Sequence, residues 1–155
     1  MCVVKKANPI VAFTLDGQRY ALDLSAVERV ERIVEITPLP KAPEIILGVV
    51  NVRGDVVPVV NIRKRFRLPE REISLSDQLI IANTSARTVA LVVDEVIDVI
   101  AVSGSAVIDG GEILPGMDYV EGFMKLSGGM VLIHDLEKFL SLKEAKALEG
   151  SMQEV

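Results

Sequence analysis

Residues 48–66 read GVVNVRGDVVPVVNIRKRF, two valine-rich runs on either side of Arg53-Gly54-Asp55. β-Branched runs of this length, broken by a glycine, read as two buried or half-buried strands joined by a tight reversal. Pro58 has no N–H to give to a ladder, so its strand is expected to have one unpaired edge at that point. The hairpin carries an arginine at its tip and runs into the basic stretch Arg63-Lys64-Arg65. Neither feature is needed to build a hairpin.

Working outward, the same pattern returns. Residues 122–140, GFMKLSGGMVLIHDLEKFL, align without gaps to the first stretch at an offset of 74, with Gly122 on Gly48, Gly128 on Gly54, Asp135 on Asn61 and Leu136 on Ile62. Upstream, Ile10–Leu15 and Arg19–Leu22 flank Asp16-Gly17, a type I′ hairpin signal. Leu79–Asn83 and Val89–Val93 form a second hairpin around Thr84–Arg87. Asp94, Val96 and Val99 then stand where Ser25, Val27 and Val30 stood, at an offset of 69. The chain is therefore read as one domain, 1–155, holding two copies of a β unit at about 10–75 and 76–142. A unit of this size is marginal alone, so the copies are expected to intertwine and share core.

The remaining segments are punctuation. Ser25 with Glu28 is a capping-box pattern for one helical turn. Thr37–Glu44, TPLPKAPE, has three prolines and reads as a rigid loop, and Ser103–Tyr119 is a loop by its Gly and Pro content. Asp135 is the expected N-cap of a C-terminal amphipathic helix with Leu136, Phe139 and Leu140 on one face, Lys143 and Lys146 late, and Gly150 near its end.

Composition narrows the function. Of 155 residues, 50% are apolar and 25% charged, which allows a core. The single cysteine, Cys2, excludes an internal disulfide and offers no metal-ligand spacing. No stretch approaches the roughly 20 apolar residues of a membrane helix, and no signal-peptide core is visible, so a cytoplasmic protein with no direct membrane insertion is expected. The net charge of −5 argues against general nucleic-acid binding. It is unevenly spread: residues 1–71 hold 12 Lys/Arg against 8 Asp/Glu, and residues 72–155 hold 5 against 14. Such polarity belongs with partner recognition. The one histidine, His134, ends a strand; the adjacent acid, Asp135, points elsewhere if residues alternate across the strand, and the counterpart in the first copy is the apolar Val60, so His134 is read as structural. No phosphate loop, metal cluster or carboxylate pair stands out, so the sequence reads as no enzyme, with no catalytic residues, metal or cofactor.

The segment ILGVVNVRGDVVPVVNIRKRF closely resembles the signature of CheW-type chemotaxis coupling domains. VAFTLDGQRYALDLSAVERV is similar to that family's opening hairpin, ITPLPKAPEIILG to its proline-punctuated approach, VALVVDEVIDVIAV to its second-half strand, and VEGFMKLSGGMVLIHDLEKFL to its closing strands and helix. The likeness runs from about Ile10 to Leu142. It implies a mostly β fold of two interlocked five-stranded SH3-like barrels with a C-terminal amphipathic helix. It further implies a non-catalytic adaptor that joins chemoreceptor cytoplasmic tips to the regulatory domain of the histidine kinase CheA, itself of the same fold, at membrane receptor arrays. Carried over residue by residue, receptor contact falls to Val27, Val30, Gly48, Asn51 and Arg53, with Val93 and Val96 from the second barrel. The length leaves no room for the receiver or kinase domains fused to some members, so the resemblance implies the standalone adaptor.

One position departs from the family pattern. Where an acidic residue often precedes the hydrophobic residue at Val30, this chain has Arg29, with Glu28 one place earlier. A small-barrel nucleic-acid binder using Arg53, Arg63, Lys64, Arg65 and Arg67 is the alternative from another class. It lacks the exposed aromatics such barrels use, since the first half offers only Phe13, Tyr20 and Phe66.

Overall fold

The computed structural model describes residues 8–102, 107–109, 120–126, 129–140 and 142–152. Most of the expected loop at 103–119 lies outside the described residues, as do Cys2, Ser127 and Gly128. In chain order the elements are β1 (Asn8–Leu15), β2 (Gln18–Asp23), β3 (Val27–Arg32), β4 (Ile46–Val52), β5 (Asp55–Val60), the single turn α1 (Ile62–Arg65), β6 (Gln78–Asn83) and β7 (Thr88–Val93). They continue as β8 (Glu95–Val102), β9 (Val107–Asp109), β10 (Val120–Leu126), β11 (Gly129–His134) and α2 (Leu142–Met152). Short 3₁₀ turns lie at Leu24–Ala26 and Leu136–Lys138. The protein is mostly β, in two sheets of SH3-like barrel type with a C-terminal helix.

The offset of 74 is kept strand by strand: 46–52 maps onto 120–126 and 55–60 onto 129–134. Even the irregularity repeats, with a register shift between Ile46 and Gly48 in β4 and between Val120 and Gly122 in β10. An extra residue at such a bulge bends the strand and raises its twist, which a small barrel needs to close. The first sheet runs β8-β1-β2-β11-β10-β9 and the second β3-β6-β7-β5-β4. The first carries a sixth strand because Val107–Asp109, read as loop in the sequence, pairs antiparallel with β10.

Two compact units result, one of Met1–Val27 with Val93–Lys138 and the other of Glu28–Val92 with Phe139–Val155. Each takes strands from both sequence copies. The β1–β2 hairpin of the first copy joins β8–β11, through a parallel pairing of β2 with β11. The β6–β7 hairpin of the second copy joins β3–β5, through the equivalent parallel pairing of β7 with β5. The chain thus exchanges its hairpins between the two halves of the duplication.

In the Glu28–Val92 unit the core is Val50, Val52, Val57, Val59, Leu79, Ile81 and Ala90, with Ile33, Ile36, Leu47 and Val92 against it. In the other unit Ile10, Ala21, Val131 and Ile133 pack with Ile100. These are the inward positions of alternating strands, whose burial is the main stabilising term. Pro58 pairs with Val49 on β4, while the ladder to β7 starts only at Val59, so the missing N–H falls where no bond is required.

Gly48 closes the second barrel. The segment after β3 returns to β4 through paired bonds, Thr37 N to Val49 O at 2.9 Å and Val49 N to Thr37 O at 2.8 Å. A Cβ on Gly48, whose φ is +153°, would lie 2.3 Å from the Thr37 carbonyl oxygen, so only glycine admits the crossing chain.

Two local expectations are corrected. The turn after β2 is capped by Asp23, whose Oδ1 accepts from Ser25 N at 2.9 Å and Ser25 Oγ at 2.7 Å, and not by Ser25 itself. The C-terminal helix does not start at Asp135. That residue caps the 3₁₀ turn, accepting from Glu137 N at 3.0 Å, and α2 begins at Leu142 and runs through Gly150. Asn61 caps α1 in the same way, accepting from Lys64 N at 3.2 Å, so the cap recurs with the copy.

Candidate protein-interaction site

Val52 pairs with Asp55, which leaves Arg53 and Gly54 as a two-residue turn with φ of 53° and 91°. Both are left-handed, as a type I′ hairpin demands. Another such turn among the described residues has Asp16 and Gly17, a pair that suits the geometry. An arginine in this conformation costs roughly 1–2 kcal/mol, because its Cβ crowds the following carbonyl. Asn51 offsets part of that cost: its Oδ1 accepts from Gly54 N at 2.9 Å and braces the tip. The result is an arginine on a fixed, strained turn with 72% of its side chain in solvent.

The face opposite that arginine is charged rather than apolar. Strand β3, VERVER, alternates half-buried Val27, Arg29 and Glu31 with exposed Glu28, Val30 and Arg32. Glu31 Oε2 lies 3.2 Å from Arg53 Nε and 2.7 Å from Arg29 Nε, and Arg29 Nη1 reaches on to Glu28 Oε2. Glu28 Oε1 in turn accepts from Asn83 Nδ2 of β6 at 3.4 Å. Two carboxylates and two guanidinium groups therefore alternate along one edge and end on Arg53. Arg29, the departure from the family pattern, is held between two glutamates.

The seven residues singled out by the resemblance fall into distinct settings. In the Glu28–Val92 unit, Val30 is exposed on β3, and Asn51 and Arg53 are exposed at the hairpin tip that meets that strand. Gly48 is buried under Thr37, where it serves the fold. In the other unit, Val27 and Val96 are half-buried and Val93 is fully buried at the end of β7, also a fold position. Glu31 escaped the sequence reading, although its place two residues from Arg29 on an alternating strand put both on one face.

The duplication leaves a second mark on the surface. Val30 and Val56 are large apolar side chains exposed in one unit, and Val99 and Met130 in the other. Met130 stands 74 places after Val56, and Val99 stands 69 after Val30, the offsets of the repeat. Exposed apolar residues at equivalent positions of two barrels mark docking faces more than scattered exposure does.

The basic run does not form a free cationic patch. Arg63 donates to the Pro69 carbonyl at 3.1 Å, Lys64 pairs with Glu44 at 3.2 Å, and Arg65 pairs with Glu144 of α2. Phe66 is the C-cap of α1, and Arg67, with φ of 60°, is the left-handed residue after it, with its own N–H on Lys64 O and that of Leu68 on Arg63 O. A cavity of about 240 Å³ in the same unit is lined by Leu47, Val60, Ile73 and Val92 among others, and at its polar side Asn61 bonds Glu70 and Arg71 bonds Asp77. His134 is buried against the Tyr20 ring, its Nδ1 donating to the Leu132 carbonyl at 3.2 Å, and burial pushes its pKa down to about 4. A histidine so placed is neutral and held by packing. Among the described residues no three His, Cys, Asp or Glu side chains group as a metal site. The chemistry on display is that of recognition.

Comparison with known proteins agrees with this layout. A model of the CheW-like domain matches residues 9–149. The chain is 27% identical to the chemotaxis protein CheW of Treponema pallidum over 154 residues, 96% of this chain and 91% of that one. It is 36% identical to the chemotaxis protein CheW of Bacillus subtilis over 104 residues, 67% of each. The crystal structure of the scaffolding protein TtCheW from Thermoanaerobacter tengcongensis superposes with a TM-score of 0.80 at 30% identity, covering 89% of this chain and 95% of that one.

Proposed function

The chain belongs to the CheW-like domain family, and from that premise we propose that it is a non-catalytic adaptor coupling chemoreceptors to the histidine kinase CheA. The relatives are named as chemotaxis proteins and the superposed structure as a scaffolding protein, which supports a role in assembling such a pathway. The adaptor works in the cytoplasm at receptor arrays. Among the described residues no helix is long and apolar enough to cross a membrane.

One observation carries the reading of the site. Arg53 occupies a strained turn position and projects into solvent, while the second copy of the hairpin has Ser127 at that place. A barrel of this kind is built without the arginine, so its retention at a conformational cost points to a partner. Arg53, Asn51 and Val30 of the Glu28–Val92 unit meet the receptor tip. The kinase's regulatory domain docks on other barrel surface, where Val99 and Met130 are exposed. Nothing favours the nucleic-acid alternative, since Arg63, Lys64 and Arg65 are spent on contacts within their own unit.

The test is direct. Purified protein is titrated with CheA and with a receptor cytoplasmic fragment from the same genome, without added cofactor. Saturable binding to both is expected; no binding to either would overturn the proposal.

A further inference from the structure

We infer that Glu31 is the residue that positions Arg53 for its partner, and that Arg29 is part of the same device. The inference rests on Arg53 being a partner contact. A long cation on a turn in solvent samples many rotamers, and freezing it on binding costs about 0.5–1.5 kcal/mol. Glu31 removes part of that cost in advance. It is a strand residue with only 24% of its side chain accessible, so it is a fixed acceptor, and it faces Arg53 Nε at 3.2 Å. The bond leaves the Nη groups of the guanidinium to face outward, where a partner carboxylate or carbonyl can accept from them.

The carboxylate is itself held in place. Arg29 Nε binds the same Oε2 atom at 2.7 Å, and Glu28 draws Arg29 from the other side. Arg29 therefore fixes Glu31 and does not meet the partner as a free positive charge. The chain Glu28–Arg29–Glu31–Arg53 is neutral in sum, and of its two exposed ends, Glu28 and Arg53, the arginine is the more exposed, at 72% against 38%. Arg29 and Glu31 lie on the same, half-buried face of β3.

Two effects oppose each other when Glu31 loses its charge. Arg53 gains freedom, which weakens binding, and the edge gains one net positive charge, which strengthens attraction to an acidic partner. The second effect is long-range and is screened strongly by salt, whereas the 3.2 Å pair between Glu31 and Arg53 is screened less.

The experiment compares wild type, Glu31→Gln, Arg53→Ala and the double variant against a receptor cytoplasmic fragment from the same genome, at about 0.15 M and about 0.5 M salt, where screening differs. Glu31→Gln is expected to weaken binding by up to about twofold, because the pair it removes involves a 72% exposed arginine and is worth little. The loss should persist at the higher salt and vanish in the Arg53→Ala background. Equal or tighter binding by Glu31→Gln at both salt concentrations would overturn the inference, because Glu31 would then compete with the partner. The same loss in both backgrounds would also overturn it, since Glu31 would act independently of Arg53. If Arg53→Ala alone leaves affinity unchanged, the parent reading of Arg53 fails, an outcome distinct from both.

Discussion

Replacing Arg53 by asparagine should make the protein slightly more stable and much less able to couple its partners. The turn holds Arg53 at φ of 53° followed by Gly54 at 91°, and Asn-Gly is the preferred pair for this geometry. The left-handed conformation costs an ordinary residue roughly 1–2 kcal/mol, of which asparagine recovers about half. Against this stands the lost pair with Glu31. Arg53 is 72% exposed, so solvent screening leaves that pair worth only a few tenths of a kcal/mol. The net change lies between zero and about 1 kcal/mol of added stability, or a Tm rise of up to about 3 °C for a chain of this length. Differential scanning calorimetry reads the stability, and titration with a receptor fragment reads the coupling. A Tm fall of more than about 3 °C would show that Arg53 supports the fold, and unchanged affinity would show that it contacts nothing.

Other perturbations follow from the same geometry. Gly48→Ala places a Cβ 2.3 Å from the Thr37 carbonyl and should cost about 3 kcal/mol or more, whereas Gly54→Ala meets nothing within 4 Å and should cost only its backbone strain, about 1 kcal/mol. Urea unfolding of the two variants checks the difference; equal losses would refute the crossing-strand argument. His134 should make the protein acid-sensitive. Its folded pKa is held near 4 by burial while the unfolded chain protonates near 6.5, so between these values only the unfolded state gains a proton. Stability is full above pH 6.5 and falls as the pH drops, by about 2 kcal/mol at pH 5. His134→Val, the residue that Val60 supplies in the first copy, should flatten that dependence between pH 7 and 5 in the same urea assay; an unchanged slope would refute the assignment.

Much of this fold was legible because duplication writes itself into sequence. A gapless offset of 74 located β10, β11 and their caps from β4, β5 and Asn61, and the Asp16-Gly17 and Val52–Asp55 turns followed from local backbone chemistry. What stayed hidden was non-local. Nothing in the two hairpins announces that they exchange units, because that choice is made by parallel pairings between distant strands. Capping went to Asp23 because its carboxylate accepts from both the N–H and the hydroxyl of Ser25, an alternative between neighbours that a capping-box pattern does not resolve.

At the site, Arg53 and Asn51 were visible as the tip of a patterned hairpin, but their roles were not separable. The structure shows Asn51 bracing the turn and Arg53 strained by it. Gly48 and Val93 are both buried, and packing accounts for each of them. The basic run looked available in sequence because its acidic partners, Glu44 and Glu144, lie 20 and 79 residues away from Lys64 and Arg65. Glu31 went unread for the opposite reason: a glutamate in a charged strand looks solvated until the facing hairpin is known.

The central claim is coupling, and kinase control tests it most directly. Receptor-containing membranes and CheA from the same genome are mixed with and without this protein, and CheA autophosphorylation is followed. Receptor-dependent stimulation should appear only when the protein is added and should be lost with Arg53→Asn. Autophosphorylation that receptors control equally well without it would contradict the account.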